Sequence, residues 1–140
     1  MTAIGDWVLV IEDDEGMREA IESLLGAAGV PAASYASAEA LLAAGPLLRA
    51  RCVVSDVRLP AMSGLELLTA LRVRGDAIPV ILVTAHDSAA MRAEASLRGA
   101  AGYLAKPFAG ADLLQAVASA IAAAKRRPPD AANPRTRRNP

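Results

Sequence analysis

Four apolar runs of strand length recur along the chain, and each ends on a polar or charged residue. "WVLVI" leads into Glu12, Asp13 and Asp14, "CVVS" into Asp56, "PVILV" into Thr84, and "GYLA" into Lys106. A fifth and weaker run is "PAASY", residues 31–35. Between the runs lie segments with helical spacing. Met17, Ile21, Leu24 and Leu25 recur at about 3.6 residues, as do Leu65, Leu68, Leu71 and Val73. Ser37 is placed to cap a helix through Leu42, and Asp87 or Ser88 one through Leu97. Gly29 and Gly99 stand where helices would stop. The last helix, about Gly110 to Ala124, presents Leu113, Leu114, Val117 and Ile121 on one face.

The order is strand then helix, five times over, with no longer repeat. Continuous rather than alternating apolar strands indicate a parallel sheet covered on both faces. The pattern therefore predicts an α/β fold, a flavodoxin-like doubly wound five-stranded parallel sheet of order 2-1-3-4-5 with five helices.

Composition narrows this picture. The 140 residues are 54% hydrophobic and 3% aromatic, so one core must be built from Ala, Val, Leu and Ile. The single Cys52 excludes an internal disulfide and fits a reducing compartment. No signal peptide or membrane span is expected, which points to a cytoplasmic protein. The zero net charge hides a division. Residues 1–124 carry a net −5, whereas 125–140, "KRRPPDAANPRTRRNP", carry +5. That Pro-rich basic stretch cannot bury enough apolar surface to fold, so it reads as a disordered tail after a 6–124 domain. A solubilising extension explains it better than a nucleic-acid contact, and no specific nucleic acid is expected.

In a parallel sheet all C-terminal strand ends share one edge, so Glu12, Asp13, Asp56, Thr84 and Lys106 converge there. Strands 1 and 3 flank the switch point where open α/β sheets bind ligands. Three carboxylates crowd one crevice, so at least one should have a raised pKa. An all-oxygen set with few protein ligands suits Mg²⁺, which keeps several waters and shares its shell with phosphate. Lys106 and Thr84 stand ready for the phosphate's far side. Lys106 is the only lysine among the first 124 residues. Its compact ammonium suits one small anion better than arginine's planar fork does.

With these residues in place, the chain resembles a receiver domain of two-component signalling over residues 6–124. The matching stretches are "VLVIEDDEGMR", "VVSDVRLPAMSGLELL", "VILVTA" and "GYLAKPF". The resemblance implies that Asp56 is the phosphoacceptor and that Asp13 binds Mg²⁺ directly. Glu12 would act on the metal directly or through water, and the Arg58 carbonyl would complete the protein ligands. Thr84 and Lys106 would meet the phosphoryl oxygens. Tyr103 matches an aromatic that turns inward as Thr84 moves, and Pro107 matches a cis proline. The donor would be a histidine kinase or a histidine phosphotransfer protein. The response would fall on the face of the fourth helix, fifth strand and fifth helix, which would meet a downstream protein target or a second copy in a phosphorylation-dependent dimer. Such a switch catalyses only its own phosphorylation and dephosphorylation.

Three positions individualise the site. Glu12 stands where the acidic pair is often Asp-Asp, while Arg58 and His86 occupy places that govern acyl-phosphate lifetime. His86, the only histidine, otherwise reads as a loop-edge residue. Cys52, Trp7 and Met17 read as packing, and Asp14 and Glu15 as first-turn charges. Two alternatives remain. One is the receiver portion of a longer DNA-binding response regulator, which segment 55–68 resembles. The other is an Asp-based, Mg²⁺-dependent phosphatase of the haloacid dehalogenase type. That rival expects a DxD pattern after the first strand and a cap domain.

Overall fold

The structure, a computed structural model, describes residues 7–44, 47 and 49–126. The elements alternate without exception: β1 (Trp7–Ile11), α1 (Glu15–Ala27), β2 (Ala32–Tyr35), α2 (Ala38–Ala43), β3 (Ala50–Asp56), α3 (Gly64–Val73), β4 (Val80–Thr84), α4 (Ala89–Leu97), β5 (Gly102–Ala105) and α5 (Gly110–Arg126). All strand pairs are parallel, in the order β2-β1-β3-β4-β5. The expected sheet is the one observed.

Successive strand residues feed opposite layers, as the pleat requires. Leu9, Ile11, Val53, Val80 and Leu82 pack with α2, α3 and Ala95 of α4. Val8, Val10, Val54, Ile81 and Val83 pack with Ile21 and Leu25 of α1 and with Leu113 and Val117 of α5. Every strand position in β4 is buried, which explains why its sequence is continuously apolar.

Helix boundaries follow local chemistry. Ser37, Ser63 and Ser88 cap α2, α3 and α4 with their side-chain oxygens. Gly29 and Gly99 take positive φ just after α1 and α4, and the next residues reach back to Leu25 and Ala95. Gly75 closes α3 the same way, a stop that the spacing analysis had not marked.

Two details differ from the sequence reading. Val73 is 81% exposed, because at 100° per residue it falls on the far side of α3 from Leu68 and Leu71. Leu67 takes the core place instead. The last helix also runs past Ala124 to Arg126, and Lys125 and Arg126 suit the negative end of its dipole. The basic tail read from the sequence otherwise falls on 127–140, outside the described residues, as does residue 6.

Candidate functional site

The C-terminal ends of β1, β3, β4 and β5 form one edge, and the chemistry converges there. Glu12 directly follows β1 and is 2% exposed. Each of its polar ends is held. Its N–H donates to the Tyr35 carbonyl at 3.1 Å, and its carbonyl accepts from Arg18 Nη1 at 2.9 Å. Its Oε2 accepts from the Asp14 N–H at 3.2 Å, and its Oε1 from Lys106 Nζ at 2.9 Å. Asp13, by contrast, is exposed.

Asp56 ends β3 and is buried. Its Oδ1 accepts from the Arg58 N–H at 3.2 Å and its Oδ2 from Lys106 Nζ at 2.9 Å. Ser55 Oγ donates to its carbonyl at 3.0 Å, and Gly64 packs against that carbonyl so closely that a Cβ would overlap the oxygen. Gly64 and Ser55 thus set where Asp56 stands. The loop between is pinned at its α3 end. Ser63 and Glu66 form a capping box, and Glu39 of α2 accepts from the Met62 N–H at 2.9 Å.

Carboxylate oxygens of Glu12, Asp13 and Asp56 lie within 4.8 Å of one another. One ammonium among three carboxylates leaves a formal surplus of negative charge. The donor set is all oxygen, so these residues fit a hard divalent cation such as Mg²⁺. Burial, ahead of every other cause, raises Glu12 above the usual carboxylate value, and the charge of Asp56 adds to it. The contacts with Lys106 and Asp14 pull the other way. The expected raised acid is therefore present, but burial drives it more than repulsion does. Burial works to lower Lys106, yet its hydrogen bonds to Glu12 and Asp56 outweigh that and hold it above an ordinary lysine.

Thr84 is fully buried at the end of β4, and its Oγ1 accepts from the His86 N–H at 2.9 Å. Its carbonyl accepts from the Lys106 N–H at 2.7 Å, so β4 and β5 hold the two side by side. The Lys106–Pro107 peptide is cis. Arg58 and His86 are exposed around the same edge. Tyr103 lies on β5, and its hydroxyl donates to Asp87 Oδ1 at 2.9 Å. Asp14 caps α1 by accepting from the Met17 N–H, which fits its reading as a helix-start charge. Cys52 is wholly buried with its thiol pushed up to about 12, consistent with a packing role.

Sequence reasoning missed Gly64, Arg18, Glu39 and the Asp87 contact. Only the "SGLE" box around Gly64 carried a local signal. The others depend on tertiary neighbours.

Residues 8–118 match the family model described as the response regulator receiver domain. The chain belongs to this family. Among curated relatives, the transcriptional regulatory protein FixJ of Azorhizobium caulinodans is 42% identical over 114 residues, 81% of this chain and 54% of that one. FixJ of Bradyrhizobium diazoefficiens is 38% identical, over 81% and 56%. The chain spans about half the length of these relatives. The solved structure of FixJ-N aligns with a TM-score of 0.77 at 33% identity, covering 83% of this chain and 93% of that one. Chemotaxis protein CheY4 of Vibrio cholerae aligns at 0.75 and 28%, covering 81% and 97%. This receiver domain is thus a signalling module of the two-component type rather than a haloacid-dehalogenase-type phosphatase. Among the described residues, no helix is long and apolar enough to cross a membrane.

Proposed function

We propose that this receiver works as a phosphorylation switch in which Asp56 accepts a phosphoryl group from a histidine kinase or a histidine phosphotransfer protein. An Asp56 carboxylate oxygen forms the bond to phosphorus as the phosphorus–nitrogen bond of the donor phosphohistidine breaks. The electron pair leaves with the imidazole, which takes its proton from water. The observation that carries this reading is the half-buried Lys106 joining buried Asp56 to buried Glu12 beside Asp13. Glu12, Asp13, Asp56 and the Arg58 carbonyl would hold Mg²⁺. Bound there, Mg²⁺ supplies positive charge that neutralises phosphoryl oxygens. The protein's own work is positioning and charge compensation. The Arg58 N–H and Lys106 orient the Asp56 carboxylate, Lys106 can pass from a carboxylate to a phosphoryl oxygen, and the Thr84 hydroxyl donates to another.

The output follows from a preference for one arrangement over the other. Thr84 moves toward the phosphoryl group, Tyr103 turns inward, and the α4–β5–α5 face changes for a downstream protein target or a phosphorylation-dependent dimer. Arg58 and His86, exposed at the rim, set the acyl-phosphate lifetime. Such a module catalyses only its own phosphorylation and dephosphorylation, in the cytoplasm. The longer relatives, described as transcriptional regulatory proteins and matched over only about half of their length, favour a second reading, in which this domain is the receiver portion of a longer DNA-binding regulator.

Incubation with a phosphorylated kinase, or with acetyl phosphate and Mg²⁺, should add one base-labile phosphate. Asp56→Asn and chelator should each abolish it. Uptake by Asp56→Asn at the wild-type rate would overturn the assignment. Hydrogen exchange over residues 84–110 should change on phosphorylation in the wild type and much less in Thr84→Ala.

A further inference from the structure

Tyr103 is half-buried with its ring against the layer of α2, α3 and α4, and its hydroxyl is held at the surface by a closed set of contacts. Its hydroxyl donates to Asp87 Oδ1 at 2.9 Å. Arg92 of α4 grips the same carboxylate with both arms of its fork, Nε on Oδ1 at 3.0 Å and Nη2 on Oδ2 at 2.8 Å. The Arg92 guanidinium also lies 5.1 Å from the centroid of the Tyr103 ring, within cation–π range. Three side chains therefore contact one another pairwise. Asp87 follows His86, whose N–H holds Thr84 Oγ1. One short turn thus constrains both Thr84 and Tyr103.

These contacts discriminate between arrangements. If Tyr103 turns inward, its bond to Asp87 and its stack under Arg92 are both lost, while the Asp87–Arg92 pair can persist. A contact made in only one of two states shifts their balance. We propose that Asp87 and Arg92 form a clasp that holds Tyr103 outward, sets the population of the active arrangement before phosphorylation, and thereby slows phosphoryl acceptance at Asp56. Asp87 and Arg92 are positioning residues for that reaction. The inference rests on the phosphorylation reading above and adds to it the elements that set its threshold.

The chemistry is suited to persist at neutral pH. Arg92, then Tyr103, hold the Asp87 carboxyl below its ordinary value. Burial first, then Asp87, raise the Tyr103 hydroxyl, so it remains a donor. An exposed ion pair taken alone contributes little. Here a bidentate fork and a shared acceptor hold the geometry, so the ring and hydroxyl contacts are pre-oriented.

The experiment measures acetyl-phosphate uptake and beryllofluoride affinity, both in excess Mg²⁺, for wild type, Arg92→Ala, Tyr103→Phe and the double variant. Apparent affinity scales with the population of the competent state. Each single variant should therefore take up phosphate faster and bind beryllofluoride tighter, by about threefold to tenfold. The double variant should gain less than the product of the two, since both remove one clasp. Arg92→Lys, with charge but no fork, should fall between wild type and Arg92→Ala. Wild-type rates and affinities in both single variants would overturn the clasp, as would slower uptake. Failure of the wild type itself to take up phosphate would instead strike the underlying reading. Should Arg92→Ala fold poorly by its melt, Tyr103→Phe decides alone.

Discussion

Lys106 Nζ donates to Asp56 Oδ2 at 2.9 Å, joining residues fifty positions apart in the chain. The same ammonium reaches Glu12 Oε1 at 2.9 Å, so one positive charge ties β5 to the ends of β1 and β3. The three side chains are between 2% and 14% exposed, which places these pairs mostly out of water.

Replacing Lys106 should therefore cost stability as well as function. Lys106→Met leaves two buried carboxylates facing each other without their shared donor. Removing one partner of a buried ion pair costs about 3–5 kcal/mol, and the partial exposure here argues for the lower end. Denaturant melts in chelator at pH 7 should show a loss of about 3 kcal/mol. Mg²⁺ should restore part of it. Lys106→Arg should sit between, since a planar fork does not reproduce one compact ammonium. A Lys106→Met protein as stable as wild type in chelator would mean the pairs contribute nothing.

Glu12 carries a pH dependence of fixed sign. Its folded value is raised above the ordinary 4.5, chiefly by burial, so the unfolded chain ionises it first as pH rises. Its contribution to stability is fully present below about 4.5 and is lost as pH climbs through the raised folded value. Lys106 stays protonated throughout that window. Its own raised value means that its contribution holds below 10.5 and disappears only as pH climbs through the folded value above that. Metal-free stability of wild type relative to Glu12→Gln should therefore fall as pH rises from about 4.5 through the raised folded value. Parallel curves would remove Glu12 as the titrating group.

Gly64 at the start of α3 and Ala61 in the loop before it should respond in opposite directions. Gly64→Ala drives a methyl onto the Asp56 carbonyl oxygen and to 3.1 Å from Ser55 Oγ, so backbone must shift. Overpacking of this kind costs about 1–3 kcal/mol, and phosphate uptake should drop because Asp56 itself moves. Ala61, at φ 62, has the left-handed backbone that glycine tolerates best. Ala61→Gly should stabilise by about 0.5 kcal/mol, the relief of strain less the added freedom of the unfolded chain. Thermal melts decide both, and a lower melting temperature for Ala61→Gly would refute the strain.

How much of this was legible in the sequence depends on the range of each interaction. Apolar runs ending in polar residues announced the strands, their parallel order, and the edge where Glu12, Asp13, Asp56, Thr84 and Lys106 meet. A strand end is a local feature, and the fold turns it into a shared address. The partner of Lys106 was not legible. The chain pattern placed it at this edge, but its bridge between the Glu12 and Asp56 carboxylates depends on side-chain reach across β1, β3 and β5. Repulsion likewise seemed the main influence on the acids, because burial of Glu12 beneath its neighbours has no sequence signature. The Tyr103–Asp87 bond spans sixteen residues, and although Asp87 reads as a candidate helix cap and Tyr103 as the family's aromatic, no local pattern announces that they meet. Val73 shows the opposite limit, where an approximate helical period included a residue that exact rotation places in solvent.

Asp13 separates a metal-binding role from a structural one. Glu12 and Asp56 are buried and hydrogen-bonded, so substituting either disturbs folding and metal affinity together. Asp13 is exposed, and substitutions at exposed positions usually change stability by no more than about 0.5 kcal/mol. In chelator, Asp13→Asn should therefore melt within a degree or two of wild type. Mg²⁺ at ten times its dissociation constant should stabilise the wild type by about 1.4 kcal/mol, because it binds only the folded chain. Asp13→Asn should lose most of that gain at the same Mg²⁺ concentration, since a neutral amide replaces one of three charged donors. Ca²⁺, which accepts looser and larger oxygen shells, should stabilise less at equal concentration if the site is suited to Mg²⁺. Paired melts of the two proteins, in chelator and in Mg²⁺, test the assignment. An Asp13→Asn protein that gains as much from Mg²⁺ as wild type would exclude Asp13 as a ligand, whatever the fate of Asp56.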